Sequence, residues 1–283
     1  MSDRNPIHHP LIAITLLSMA MMILGLSVII FVKTEQEKTP MIFHRTEIIK
    51  PDHLYPHLPP SVTTGTYRLR SSWRGLKNNV FATEEATGSA WGISLKEWGL
   101  PEKRYLITAA HCVLTGNNQL VDSVDIQIRV DNIKKWIRCK VLICDKDRDA
   151  ALLEVMEDIP VIFTLGETIA IGSPVLVSGC PVGTTPSTTM GFLTSLDPEL
   201  VTKLHCHVWQ ASVPFFYGNS GGPLLDAENL NVVGMLVAGI GVKEGMVPNL
   251  AIVIPNYEIK AMLDANLKLD DEKVEIPLIE NNK

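Results

Sequence analysis

From Tyr67 onward the chain is a succession of short apolar runs, each closed by Gly, Pro, Asn or Asp. Ala90–Leu95, Tyr105–Ala109, Val124–Val130, Ile137–Ile143, Ala150–Val155, Pro174–Ser178 and Val232–Val237 are examples. Several are rich in Val and Ile, whose branched Cβ suits a pleated, half-buried surface. Asp125-Ile-Gln-Ile-Arg-Val130 alternates with period two, the pattern of a strand with one buried face. Many short strands at roughly even spacing, without βαβ units, predict an all-β domain built as a sandwich or barrel. The segment Ile254–Leu267 differs: Ile259, Met262, Leu263 and Leu267 fall at helical spacing. With Pro255 ahead of it, Asn256 is the expected N-cap of a helix over 255–267 that packs on the β domain. The acidic residues 268–283 are expected to fray.

Ahead of this domain lies one segment of another kind. Leu11–Val32 carries no charge, and only Thr15, Ser18, Gly25 and Ser27 interrupt its apolar character. A bilayer core is about 30 Å thick and a helix spans it with about 20 residues, so this run is long enough to cross. No small-x-small cleavage site follows it before Lys33, which favours an uncleaved transmembrane anchor over a signal peptide. Positive charge is nearly balanced across the run. A short tail at 1–10 ahead of a large C-terminal domain favours a cytoplasmic N-terminus and an extracytoplasmic domain. Residues 33–66 are polar and broken by Pro40, Pro51, Pro56, Pro59 and Pro60, the composition of a tether.

Lys+Arg 25 against Asp+Glu 31 gives a net charge of −6, which argues against broad electrostatic binding of nucleic acid. Five cysteines are too few for a disulfide scaffold. Cys139 and Cys144, if on one strand, face opposite ways; one or two bridges among the five remain open. His205-Cys206-His207 puts two imidazoles on one strand face, but no second ligand pair has metal-site spacing, so neither metal nor cofactor is expected.

The chemistry concentrates in three segments: Leu106-Ile-Thr-Ala-Ala-His111-Cys112, Asp145-Lys-Asp-Arg-Asp149-Ala-Ala-Leu-Leu153 and Gly218-Asn-Ser220-Gly-Gly-Pro-Leu224. A serine hydroxyl needs an adjacent base to act as a nucleophile, and acyl transfer needs backbone amides aimed at the developing oxyanion. Glycines around Ser220 let the backbone turn sharply and approach a substrate, with the Gly218 and Ser220 amides as candidate oxyanion donors. His111, after a strand of small and apolar residues, is the candidate base. Asp149 opens the buried-strand pattern Ala150–Leu153 and can be held rigidly enough to orient an imidazole; Asp145 and Asp147 read as a solvated turn.

The order His111, Asp149, Ser220 with these motifs resembles the chymotrypsin-like (trypsin-like) serine peptidases. Further segments resemble the HtrA branch. They are Gly88-Ser-Ala-Trp-Gly-Ile93 before the histidine, Gly179-Cys-Pro-Val-Gly183, Thr188–Ser195, Val232–Val237 and Asn249–Pro255. The resemblance covers about residues 67–262 and implies two six-stranded antiparallel β-barrels, near 67–165 and 166–254, with the site in the cleft between them. It also implies that Pro214, six residues before Ser220, lies at the base of the substrate pocket, with Val237 and Gly239 on its wall. All three are uncharged, so cleavage after small or medium apolar residues is expected. HtrA proteins usually carry PDZ domains after the protease; only residues 268–283 follow the terminal helix, so none is expected here.

The resulting expectation is a membrane-anchored serine endopeptidase acting on proteins or peptides, with the oligomeric state open. The alternative is a silent or partner-gated protease fold that serves as a binding or chaperone-like module.

Overall fold

A computed structural model describes residues 61–274, apart from 78–79, 131–132, 161, 199–203, 243–244, 268 and 271–272. The anchor at 11–32, the tail at 1–10 and most of the tether lie outside the described residues. Among the described residues no helix is long and apolar enough to cross a membrane.

The described residues begin ahead of the expected domain boundary at 67. A one-turn helix α1 (Ser61–Thr64) precedes the first strand, and its Val62 is buried in the core. Tether-like polar composition thus extends over residues that reach the barrel through a single apolar side chain.

Twelve strands follow in two closed barrels. The first comprises β1 (Thr66–Lys77), β2 (Val80–Ile93), β3 (Tyr105–Thr108), β4 (Ser123–Val130), β5 (Ile133–Asp145) and β6 (Ala150–Val155). They run in the order β1-β2-β3-β6-β5-β4, and β1 pairs with β4 to close the ring. The second comprises β7 (Pro174–Gly179), β8 (Ser187–Ser195), β9 (Trp209–Ser212), β10 (Pro223–Asp226), β11 (Val232–Val242) and β12 (Gly245–Pro255). Their order is β10-β11-β12-β9-β8-β7, with β10 closing on β7. Within each barrel the neighbouring strands pair antiparallel. Closure removes the exposed edges that an open sheet would present. It also fills each interior with side chains, Trp91 in the first barrel and Trp209 in the second among the largest fully buried.

The alternating stretch at 125–130 forms β4, with Ile126 and Ile128 buried. Asp125 departs from the pattern: it is buried too, held by Arg138 at 2.7 Å and Arg70 at 3.4 Å. The terminal helix α2 (Asn256–Asn266) buries Ile259, Met262 and Leu263, and Leu267 is buried just beyond it, as the apolar spacing predicts. Its cap does not follow the prediction. Pro255 occupies the N-cap and Asn256 is already helical. The Asn256 side chain bonds both ways: its NH₂ donates to the Gly166 carbonyl, a partner 90 residues away, while its Oδ1 accepts the Tyr257 amide of the first turn at 2.9 Å. Within the expected frayed tail, β13 (Leu269–Asp270) and β14 (Lys273–Val274) pair antiparallel as a two-stranded sheet.

All five cysteines are free thiols, so the bridges left open by the sequence are not formed.

Candidate active site

His111 sits in a single 3-10 turn, Ala110–Cys112, directly after β3. Asp149 is the last residue before β6, the strand that pairs with β3. That pairing brings the two residues together from 38 positions apart. His111 Nδ1 lies 2.7 Å from Asp149 Oδ2, and the His111 backbone N–H donates to Asp149 Oδ1 at 2.8 Å. The carboxylate therefore fixes both the ring and the backbone that carries it. Asp149 adopts a left-handed φ of +48°, a conformation short polar side chains tolerate better than most. The turn holding it is braced. Asp145 Oδ1 accepts the Asp147 and Arg148 amides, and Arg148 pairs with Asp145 at 2.9 Å and with Glu258 of α2 at 3.0 Å. Asp145 is thus a structural acceptor rather than the solvated charge its sequence context suggested. Asp147 contributes its carbonyl, which accepts the His205 amide.

Two effects act on the His111 imidazolium. Burial disfavours it, while the neighbouring Cys112 and the Asp149 carboxylate favour it and outweigh burial, so its pKa is raised above the ordinary histidine value.

Ser220 lies between β9 and β10, in the segment Gly218–Gly222. Its hydroxyl donates to the Val237 carbonyl at 3.1 Å. That acceptor is available because of a bulge: Leu236 pairs with Val253 and Ala238 with Ile252, leaving Val237 as the extra residue on β11. Gly239 follows on the same strand opposite Ala251, and Pro214 lies upstream of Ser220 in the connection from β9.

The backbone of this segment is held peptide by peptide. The Tyr217 carbonyl accepts the Val182 amide at 2.5 Å, the Gly218 carbonyl accepts the Ser89 hydroxyl at 2.7 Å, and the Asn219 carbonyl accepts the Gly222 amide at 2.9 Å. In a trans peptide the N–H points opposite to the C=O. Tethering the Tyr217 and Asn219 carbonyls therefore turns the Gly218 and Ser220 N–H groups the other way, and neither has an acceptor among the described residues. Gly218 has φ +95°, and a Cβ on it would run into the Cys180 carbonyl; Gly221, at φ +84°, would meet the Ser89 carbonyl. Both positions need glycine.

Sequence reasoning passed over Ser89, Val182 and the Arg148–Glu258 pair. Val182 is non-glycine at φ +46° and largely exposed, yet its amide is what holds Tyr217. The only local trace of these roles is the pair of motifs around Gly88–Ile93 and Gly179–Gly183. A cavity of about 550 Å³, lined by Thr66, Gln127, Arg129, Lys134 and Pro186 among others, includes none of the residues proposed for the pocket.

Asn219 is 6% exposed, and its Oδ1 has no hydrogen-bond partner among the described residues. Asn219→Asp would place an unpaired carboxylate there. The expected cost is about 3 kcal/mol or more at neutral pH. Burial raises such a carboxyl's pKa, so the lost stability should return as pH falls and the acid is protonated. Urea midpoints at neutral and acidic pH measure this; an unchanged midpoint at neutral pH contradicts it.

The family model of the trypsin-like peptidase domain matches residues 87–235, more than half of the chain. The chain belongs to the trypsin-like peptidase family. Its curated relatives include probable periplasmic serine endoproteases described as DegP-like. That of Ectopseudomonas mendocina is 30% identical over 169 residues, covering 59% of this chain and 35% of the relative. That of Halomonas elongata is 28% identical over 158 residues, covering 55% and 31%. The chain thus spans about a third of the length of these relatives. Among solved structures, the HtrA-type protease AlgW, as its S227A variant with a tripeptide, superposes with a TM-score of 0.58 at 20% identity, covering 74% of this chain and 62% of that one. The active form of the Rv3671c protease from M. tuberculosis gives 0.56 at 19% identity, covering 72% and 81%. At these identities the structural likeness speaks for the two-barrel fold of this trypsin-like peptidase domain.

Proposed function

We propose that this chain is a serine endopeptidase of the HtrA type, with His111, Asp149 and Ser220 as its triad. The observation that carries the reading is the doubly bonded His111–Asp149 pair in a fold whose serine loop leaves the Gly218 and Ser220 amides without acceptors among the described residues. Asp149 keeps the proton on Nδ1, leaving Nε2 free to accept one. The Ser220 hydroxyl leaves the Val237 carbonyl by rotation about χ1 and gives its proton to His111 as Oγ attacks the substrate carbonyl. The Gly218 and Ser220 amides take the oxyanion, Asp149 stabilises the imidazolium, and His111 returns the proton to the leaving amine. Water then releases the acyl-enzyme by the same route.

Pro214, Val237 and Gly239 present no charge to the substrate side chain, which suits small or medium apolar residues at the cleavage site. The uncharged run Leu11–Val32 tethers the domain to a membrane, on the extracytoplasmic side. The full chain is expected to stay in the membrane fraction after carbonate washing; release into the supernatant contradicts the anchor.

Labelling with a serine-reactive fluorophosphonate tests the central claim. The wild-type protein should be labelled at Ser220, and Ser220→Ala should not. One observation favours a partner-gated version of the fold: the Ser220 hydroxyl is engaged by Val237 rather than by His111. Labelling that appears only when a protein ligand is added would favour that version.

A further inference from the structure

Ser89 is fully buried at the end of the first barrel, in the stretch of β2 that lies beyond β3. All of its polar atoms are spent on the serine loop and its surroundings. The Ser89 N–H donates to the Ser220 carbonyl at 2.8 Å, and the Ser89 carbonyl accepts the Thr108 hydroxyl at 2.7 Å. The hydroxyl has its proton assigned by its neighbours. The Cys180 N–H can only donate and reaches Ser89 Oγ at 2.9 Å, so the hydroxyl's own proton goes to the Gly218 carbonyl at 2.7 Å.

From this geometry we infer that Ser89 is a positioning residue for the oxyanion site, a reading that rests on the assignment of Ser220 as nucleophile. The Gly218–Asn219 peptide is the hinge between the two candidate oxyanion amides. Its carbonyl is held by Ser89 on one side, and its N–H donates to the Phe216 carbonyl at 3.0 Å on the other. The same hydroxyl accepts from Cys180, at the start of the segment whose Val182 amide holds Tyr217. One buried oxygen thus joins the two backbone segments that aim the amides, and it does so from the other barrel. Glycine at 218 makes the clamp necessary, because nothing in that residue's own side chain restrains its backbone.

Removing the hydroxyl should leave substrate binding intact and weaken stabilisation of the oxyanion. Deleting one oxyanion donor outright costs about 10²–10³ in kcat, so loosening the peptide that carries one should cost about 10–100-fold. Ser89→Ala is therefore expected to lower kcat by that factor, with KM and the acid-limb pKa of kcat/KM unchanged. Affinity for a peptidyl boronate, which forms a tetrahedral adduct with the serine, should fall in parallel with kcat. Ser89→Cys, whose thiol is a weak donor of similar shape, should fall between the two. It also keeps the test decisive if the alanine variant does not fold.

A folded Ser89→Ala protein with wild-type kcat and boronate affinity overturns the clamp, as does a loss confined to KM or to thermal stability. If instead the wild-type protein is not labelled by fluorophosphonate even with a protein ligand added, the assignment of Ser220 fails, and that outcome is distinct from failure of the clamp.

Discussion

Ser220→Ala is expected to lose peptide hydrolysis by about 10⁴–10⁶-fold in kcat while keeping its fold. The substitution removes one oxygen, whose one hydrogen bond among the described residues is to the Val237 carbonyl at 3.1 Å. That carbonyl belongs to a bulge residue rather than to a paired ladder position, so the barrel does not depend on the bond. The loss should therefore appear in turnover and not in the unfolding midpoint. Peptidase assays and thermal melts of the same preparation measure both. Residual cleavage at more than about a hundredth of the wild-type rate would falsify Ser220 as the nucleophile.

Asp149→Asn should be nearly as damaging, by about 10⁴-fold in kcat, through the tautomer of His111. The carboxylate accepts from both the His111 ring and its backbone amide. An asparagine can keep the backbone bond through its oxygen, but its NH₂ group then faces Nδ1 and forces the ring proton onto Nε2, where the serine proton has to go. The pH profile should change as well. His111 must be neutral to act as a base, and Asp149 contributes to raising its pKa, so kcat/KM of the wild type should fall as pH drops through a value above 6.5. In Asp149→Asn that midpoint should move down. Asp147→Asn should change little, because Asp147 contributes its carbonyl to the fold. Asp145→Asn should act on stability, through the turn and Arg148, more than on the pH profile. A wild-type pH profile in Asp149→Asn, or a severe loss in Asp147→Asn, means that a different carboxylate orients the histidine.

The local pattern of residues determined a good deal. Period-two alternation and short Val- and Ile-rich runs specify strands, because successive side chains face opposite sides of a sheet. The spacing of Ile259, Met262, Leu263 and Leu267 specifies a helix, and those residues are buried. His111, Asp149 and Ser220 stood out because each lies in a segment whose small or glycine neighbours serve a local backbone need. That need is legible at short range: a left-handed φ at Gly218 and Gly221 admits few other residues.

What only the tertiary structure decided are the long-range bonds. The Ser89 hydroxyl meets the Gly218 carbonyl across 129 positions of sequence, and Arg148 meets Glu258 across 110. A buried serine in a strand looks the same in sequence whether its hydroxyl bonds its own strand or a loop of the other barrel. The bulge at Val237 likewise arises from register against β12 rather than from any residue preference at that position. Asn256 combines the two: its Oδ1 accepts the amide of the next residue, Tyr257, while its NH₂ reaches the Gly166 carbonyl 90 positions away. Backbone conformation and burial periodicity are local and survive in the order of residues. The direction in which a peptide group or hydroxyl points is set by partners that only barrel closure brings within reach.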